Sequence, residues 1–96
     1  MIVVELPPGT EFVRLQLAIG ETSAQSYHVS VFTDKEEEIF TDDGLQAEST
    51  ATGKFVTVKV PSSILSRGDY RLKLTARISG DQIEEVASYS FRVIRR

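Results

Sequence analysis

The chain has 96 residues, of which 26% are charged and 41% are apolar, with a net charge of −3 and no cysteine. This length allows one domain, residues 1–96, and the composition is that of a globular protein rather than a disordered one. The absence of cysteine excludes disulfides, a thiolate nucleophile and a thiolate metal site. No apolar run approaches the roughly 20 residues that cross a bilayer, so we expect no membrane segment in this chain.

The predicted elements begin with a short strand at 2–6, which a Pro-Pro-Gly sequence ends. A second strand at 11–19 leads to a turn at 20–23, and a third strand follows at 26–34. Because successive side chains of a strand point to opposite faces, the alternation of apolar and polar residues predicts one buried and one solvated face. A fourth strand at 37–41 ends at an Asp-Asp-Gly turn.

The second half of the chain holds three further predicted strands, at 54–60, 69–79 and 85–94, and a hairpin loop joins the last two. Strands about ten residues apart with polar turns between them are typical of a two-sheet sandwich. The alternation favours antiparallel pairing over the continuous apolar runs of buried parallel strands. We therefore predict an all-β fold, a seven-stranded antiparallel Greek-key β-sandwich.

The most specific local pattern is L-x-x-G-x-Y, formed by Leu65, Gly68 and Tyr70 directly before an alternating run. It resembles the tyrosine corner of immunoglobulin-like and fibronectin type III domains. In that motif, a Tyr at the start of a strand hydrogen-bonds back to the backbone just upstream. The resemblance implies that Tyr70 is buried and that its hydroxyl bonds to backbone in residues 64–68. The alternative is that Tyr70 is a core aromatic residue and no more.

A wider resemblance of pattern runs through residues 13–17, 61–74 and 89–93. These segments are similar to a domain at the C-terminal, extracytoplasmic end of some bacterial membrane-anchored proteins. Several of those proteins carry an N-terminal zinc-finger segment like that of anti-sigma factors. The resemblance implies a periplasmic or cell-surface location and no activity. From the residues alone, either the protein is cytoplasmic or the chain is an excised domain of a larger envelope protein, and we favour the second.

Residue sets that support catalysis or metal binding are few. His28 is the single histidine and alternates with apolar neighbours, which indicates a solvated strand residue rather than a member of a Ser/His/Asp set. The acidic stretch 34–43 lacks the spacing of an EF-hand loop, and we interpret it as a solubilising hairpin. A calcium site at the loop ends stays open as the alternative. We predict no enzymatic activity, no cofactor and no metal.

The expected register gives one candidate interaction face. In immunoglobulin-type sandwiches, the predicted strands 26–34, 69–79 and 85–94 share a sheet. Alternation then places basic and aromatic side chains on its outer face, with no Asp or Glu among them: His28, Phe32, Arg71, Lys73, Arg77 and Arg92. Such a face suits an acidic protein or an anionic polymer. The rival interpretation is a solvated face whose cations pair with the acidic hairpin.

The function that these patterns favour is a non-enzymatic interaction or structural module. The alternative is a carbohydrate-binding or adhesin-like module, which needs at least two coplanar exposed aromatic side chains. Phe12, Phe32 and Phe55 are the candidates, since each is out of phase with its core-facing neighbours. We do not expect nucleic acid as a partner, because the net charge is negative and no recognition motif is present.

Overall fold

The computed structural model describes residues 2–19, 24–51 and 53–95. Within these ranges the strands are β1 (Ile2–Leu6), β2 (Phe12–Ala18), β3 (Ser26–Thr33), β4 (Glu38–Leu45), β5 (Glu48–Thr50), β6 (Gly53–Pro61), β7 (Gly68–Ser79) and β8 (Gln82–Arg95). A 3₁₀ turn at Ser62–Ile64 follows β6. No helix in the described residues is long and apolar enough to cross a membrane. The turn predicted at 20–23 lies outside the described residues.

The strands form two sheets, with the order β1-β8-β7-β3-β4 in one and β2-β6-β5 in the other. The apolar members of the alternating runs point into the space between the sheets and are buried there, among them Val29, Val31, Val56, Val58, Val60, Leu72, Leu74 and Val93. Removing this apolar surface from water is the main force that holds the sheets together. The predicted all-β sandwich of two sheets is therefore confirmed.

Two details of the predicted topology are wrong. The described residues form eight strands rather than seven, and the additional strand, β5, has three residues that are all exposed. A strand without a buried face has no alternation of apolar and polar residues, so the sequence pattern does not predict it. In addition, β1 runs parallel to β8, so the larger sheet is mixed rather than antiparallel. The loop after β1 carries the chain into the other sheet, which leaves β1 beside the last strand instead of the second.

Two of the four register shifts between neighbouring strands change what the alternation predicts. The predicted Asp-Asp-Gly turn lies inside β4, where Gly44 has a φ of +69° and the register against β3 shifts by one residue. A glycine in the left-handed region is typical of such a bulge. In β8, the register against β7 passes from Ala87 to Glu85 and leaves Val86 without an opposite residue. Because side chains alternate between the two faces, one extra residue exchanges the faces to which the preceding side chains of the strand point.

The predicted tyrosine corner joins the 3₁₀ turn to β7, with Leu65 directly after the turn and Gly68 and Tyr70 at the start of β7. The Tyr70 side chain is buried, and its hydroxyl donates a hydrogen bond to the carbonyl oxygen of Ser66 at 2.7 Å, within the expected segment 64–68. The Tyr70 ring stacks on Phe91 with 5.5 Å between the centroids. Leu65 is fully buried, and Gly68 has a φ of +154°, which residues with side chains rarely adopt. Tyr70 thus packs in the core and supplies a donor to a carbonyl that has no strand partner.

Arg95, at the end of β8, holds the same turn from the other side. Its Nε donates to the carbonyl oxygen of Leu65 at 2.9 Å, and its Nη2 donates to the carbonyl oxygen of Ser62. The buried Ser62 in turn donates through its hydroxyl to the carbonyl oxygen of Thr10. These bonds tie the last strand, the 3₁₀ turn and the loop after β1 to one another.

Replacing Tyr70 with Phe is expected to lower the free energy of unfolding by about 1–2 kcal/mol. The substitution keeps the stacked ring but removes the hydroxyl that donates to the Ser66 carbonyl. Urea denaturation of the two proteins measures the difference. An unchanged midpoint would show that the hydroxyl contributes nothing to the corner.

Candidate functional site

The six residues of the predicted interaction face lie together on the outer surface of the five-stranded sheet. The register places Phe32 opposite Arg71 across β3 and β7, and Asp69 opposite Arg92 across β7 and β8. The basic side chains of this face are exposed, whereas His28 and Phe32 are half-buried. We call this surface the paired face, because three of its four Lys and Arg side chains have a carboxylate nearby.

Carboxylates neutralise most of the paired face. Three cations have a carboxylate oxygen nearby, with Arg92 Nε 2.8 Å from Asp69, Arg71 Nη2 3.4 Å from Glu36 and Lys73 Nζ 4.0 Å from Glu85. All three pairs are solvent-exposed, so each contributes little to stability. An anionic partner would have to compete with these carboxylates for each cation. The described geometry therefore resembles the rival interpretation, a solvated face with local ion pairs.

The expectation that no Asp or Glu lies among the outward residues of this face is wrong for two reasons. Asp69 stands two positions before Arg71 and therefore points the same way on β7. Glu85 points outward because the extra residue Val86 reverses the alternation of β8, and it lies opposite Thr75. The acidic hairpin contributes two carboxylates rather than a row of them, Glu36 beside Arg71 and Asp43 beside His28.

The structure also brings together a serine, the histidine and an aspartate on the paired face. His28 Nε2 is 3.2 Å from Ser30 Oγ, and His28 Nδ1 is 3.6 Å from Asp43 Oδ1. The order of groups matches a nucleophile–base–acid set, but the second distance is too long for a hydrogen bond. Asp43 instead accepts a hydrogen bond from the Gly44 amide at 2.8 Å, which is the main reason why the pKa of Asp43 is lowered.

The surroundings of Ser30 do not favour nucleophilic catalysis. Ser30 is only 9% exposed, and it pairs with Thr41 on one side and Lys73 on the other. An oxyanion needs donors that converge on one point, and an amide that bonds to a neighbouring strand is not free to serve. We therefore interpret the contact of His28 with Ser30 as a hydrogen bond on a solvated sheet.

A second group of cations lies on the outer face of the three-stranded sheet. Arg14 of β2 and Lys59 of β6 are directly opposite each other in the register. The Nζ atom of Lys59 lies 5.7 Å from the centroid of the Phe12 ring, and Phe12 is 54% exposed. We call Phe12, Arg14 and Lys59 the basic patch.

Neither cation of the basic patch forms an ion pair within the described part of the chain. Asp42 and Glu48 border the same shallow depression, but Glu48 accepts a hydrogen bond from the Thr57 hydroxyl at 3.2 Å. Like charges directly opposite on neighbouring strands are unfavourable. The alternation predicts that Arg14 and Lys59 each point outward, but it does not reveal that their strands are neighbours.

The acidic stretch 34–43 is divided between a loop and β4. Its side chains diverge, with Glu36 beside Arg71 and Asp43 beside the Gly44 amide. Among the residues that the structure describes, no three His, Asp or Glu side chains are grouped so that they could hold a metal ion.

Comparison with known proteins gives no relative from which a function could be transferred. No protein-family model matches the chain, and a search of curated proteins also finds no match. The function is therefore argued from the geometry of the two outer faces.

The pair of Arg92 and Asp69 gives a pH-dependent prediction. The hydrogen bond from Arg92, reinforced by its charge, holds the pKa of Asp69 below its ordinary value. The pair therefore stabilises the fold at pH values above the ordinary pKa of Asp, and this contribution is lost as the pH falls through the folded-state pKa. Arg92→Gln is expected to raise the pKa of Asp69 toward the ordinary value, which NMR titration of the carboxyl carbon measures.

Arg71→Gln is the matched control for this titration, because Arg71 pairs with Glu36 and not with Asp69. A carboxyl that titrates identically in the wild type and in Arg92→Gln would contradict the pairing.

Proposed function

We propose that this chain is a non-enzymatic interaction module that binds an acidic partner through the basic patch. The observation that carries the proposal is the pair of opposite cations, Arg14 and Lys59, which have no carboxylate partner in the described residues and lie beside the exposed ring of Phe12. The paired face has more cations than the basic patch, but fewer of them lack an ion pair. The basic patch is therefore the better place for an anion to bind.

The chemistry of the basic patch suits a carboxylate-bearing partner. The guanidinium of Arg14 offers several donors in one plane, a geometry that matches a carboxylate. Lys59 adds a point charge, and the Phe12 ring offers apolar contact area next to it. A partner that supplies an acidic and an apolar side chain would satisfy all three residues at once.

The immunoglobulin-like type is also part of this proposal. It is supported by the hydrogen bond from Tyr70 to Ser66, and by an order of strands that groups β3, β7 and β8 in one sheet. The resemblance to bacterial membrane-anchored proteins favours an extracytoplasmic domain of a larger envelope protein. That location stays a prediction, which fractionation of cells that carry the full-length protein would test.

The carbohydrate-binding alternative has less support from the described aromatic residues. Phe12 and Phe55 both lie on the outer face of the three-stranded sheet, but Phe55 is opposite Ala18 at the far end of β2. Six positions along a strand separate them by about 20 Å. Phe32 is on the other sheet, so none of these rings forms a shared platform with another.

A second candidate function, ester hydrolysis, follows only from the contacts among Ser30, His28 and Asp43. We expect p-nitrophenyl acetate to be hydrolysed at the same rate by the wild type and by Ser30→Ala, because Ser30 is buried and lacks free oxyanion donors. His28→Ala controls for hydrolysis by the His28 imidazole alone. A rate that falls about tenfold or more in both variants would identify a catalytic set instead.

The basic patch predicts opposite effects on stability and on binding. Arg14→Gln removes one of two facing like charges, so it is expected to raise the free energy of unfolding by about 0.2–1 kcal/mol. The same substitution is expected to weaken binding of fluorescent poly-L-glutamate several-fold, because it removes the planar donor. Urea denaturation and fluorescence anisotropy at low ionic strength give the two values.

The matched control is Arg71→Gln, which removes an exposed arginine of the paired face together with its ion pair to Glu36. It is expected to leave poly-L-glutamate binding almost unchanged. Equal losses of binding in Arg14→Gln and Arg71→Gln would show that net charge, and not the basic patch, determines the interaction.

A further inference from the structure

The strand that carries Arg14 is also an open sheet edge. In the part of the chain that the structure describes, β2 pairs with β6 and with no other strand. Just beyond its ends, the Ser62 amide donates to the Glu11 carbonyl at 2.9 Å, and the Ile19 amide donates to the Lys54 carbonyl at 3.2 Å. Glu11 and Ile19 therefore direct their backbone groups toward β6.

The backbone direction of the intervening residues follows from these two bonds. Backbone groups alternate between the two sides of an antiparallel strand, so all odd-numbered positions from 11 to 19 face β6. The N–H and C=O groups of Phe12, Arg14 and Gln16 consequently point away from the sheet. The Tyr89 hydroxyl donates to the Ala18 carbonyl at 2.9 Å and closes the edge at that end.

The other sheet edges are less suited to an added strand. β5 has only three residues, and β4 carries Glu38, Asp42 and Asp43 and has two register shifts against β3. β1 is five residues long and carries Glu5. Short strands, bulges and charges are the usual protection of an edge. By contrast, β2 keeps an unbroken register over seven residues and has no carboxylate.

We infer that the free edge of β2 binds an extended acidic segment of a partner protein by strand addition. The inference rests on the proposed function of the basic patch. The added strand would bond to the backbone groups of Phe12, Arg14 and Gln16, and every second side chain of it would lie on the outer face. A Glu or Asp on that side would stand next to Arg14, opposite to Lys59, and would give Arg14 its missing counter-charge.

Charge also distinguishes an acidic partner from a second copy of this chain. If two β2 edges paired antiparallel so that their free positions 12–16 overlapped fully, Phe12 would stand opposite Gln16, and Arg14 opposite the same arginine of the other copy. Two directly opposite arginines with no carboxylate beside them are unfavourable. Arg14 therefore disfavours self-pairing at the edge where it favours an acidic strand.

The test uses the ¹⁵N-labelled chain and the capped peptide TEVEVEVT, with TKVKVKVT as the oppositely charged control. On binding of the acidic peptide, hydrogen exchange at the amides of Phe12, Arg14 and Gln16 is expected to slow by about tenfold or more. The amides of Val13 and Leu15 already face β6 and are expected to change little. The lysine peptide is expected not to bind.

Two further probes separate strand addition from simple charge attraction. The first probe is TEVEVEVT with N-methyl groups on alternate residues, along the edge that faces β2. This peptide keeps its charge but loses the backbone N–H donors on that edge, so it is expected to bind at least about tenfold more weakly. Gln16→Pro removes a donor from the free edge without removing a bond to β6, and an edge strand tolerates such a proline. It is expected to lose peptide binding and to keep poly-L-glutamate binding.

The outcomes distinguish this inference from the proposed function. Peptide binding that ignores N-methylation and leaves the three edge amides unprotected would overturn strand addition, while the basic patch would stand. If the wild type bound neither the peptide nor poly-L-glutamate, the proposed function would be overturned as well. Concentration-dependent dimerisation that protects the same amides would assign the edge to a second copy and overturn the acidic partner.

Discussion

In the described part of the chain, every strand except the exposed β5 turns one face toward the core, and the rest of the structure depends on that constraint. The inner faces supply a core that consists mainly of Val and Leu, so every second residue is committed to packing. The remaining residues point outward, where polar and charged side chains must find water or one another. Most of the exposed charges of the strands therefore lie on two outer faces and at the sheet edges.

The cations of the two outer faces have different neighbours. On the five-stranded sheet, Arg71, Lys73 and Arg92 each lie near a carboxylate, and none of them stands opposite another cation in the register. On the three-stranded sheet, Arg14 and Lys59 are opposite each other and have no such partner in the described residues. Two facing cations without an ion pair, in a depression that Asp42 and Glu48 also border, are more informative about binding than a larger number of paired charges.

Strand positions and the chain entry to β7 could be predicted because they depend on local patterns. Alternation is a property of neighbouring residues, and Leu65, Gly68 and Tyr70 lie within six consecutive residues. Pairing between strands depends on residues far apart in the chain, so the contact of Arg14 with the strand of Lys59 was not predictable. A bulge is equally hidden, since Val86 resembles any other strand residue although it turns Glu85 outward.

The parallel pairing of β1 with β8 has a mechanical consequence. Five residues of β1, from Ile2 to Leu6, lie in register with Phe91 to Arg95, and both strands run in the same direction. A force that pulls Ile2 and Arg95 apart therefore acts along the strands, and the hydrogen bonds between them share the load at once instead of breaking one by one. In an antiparallel hairpin pulled from its open end, the bonds would open in sequence. Tension along the polypeptide thus meets its first resistance in shear at this pair of strands.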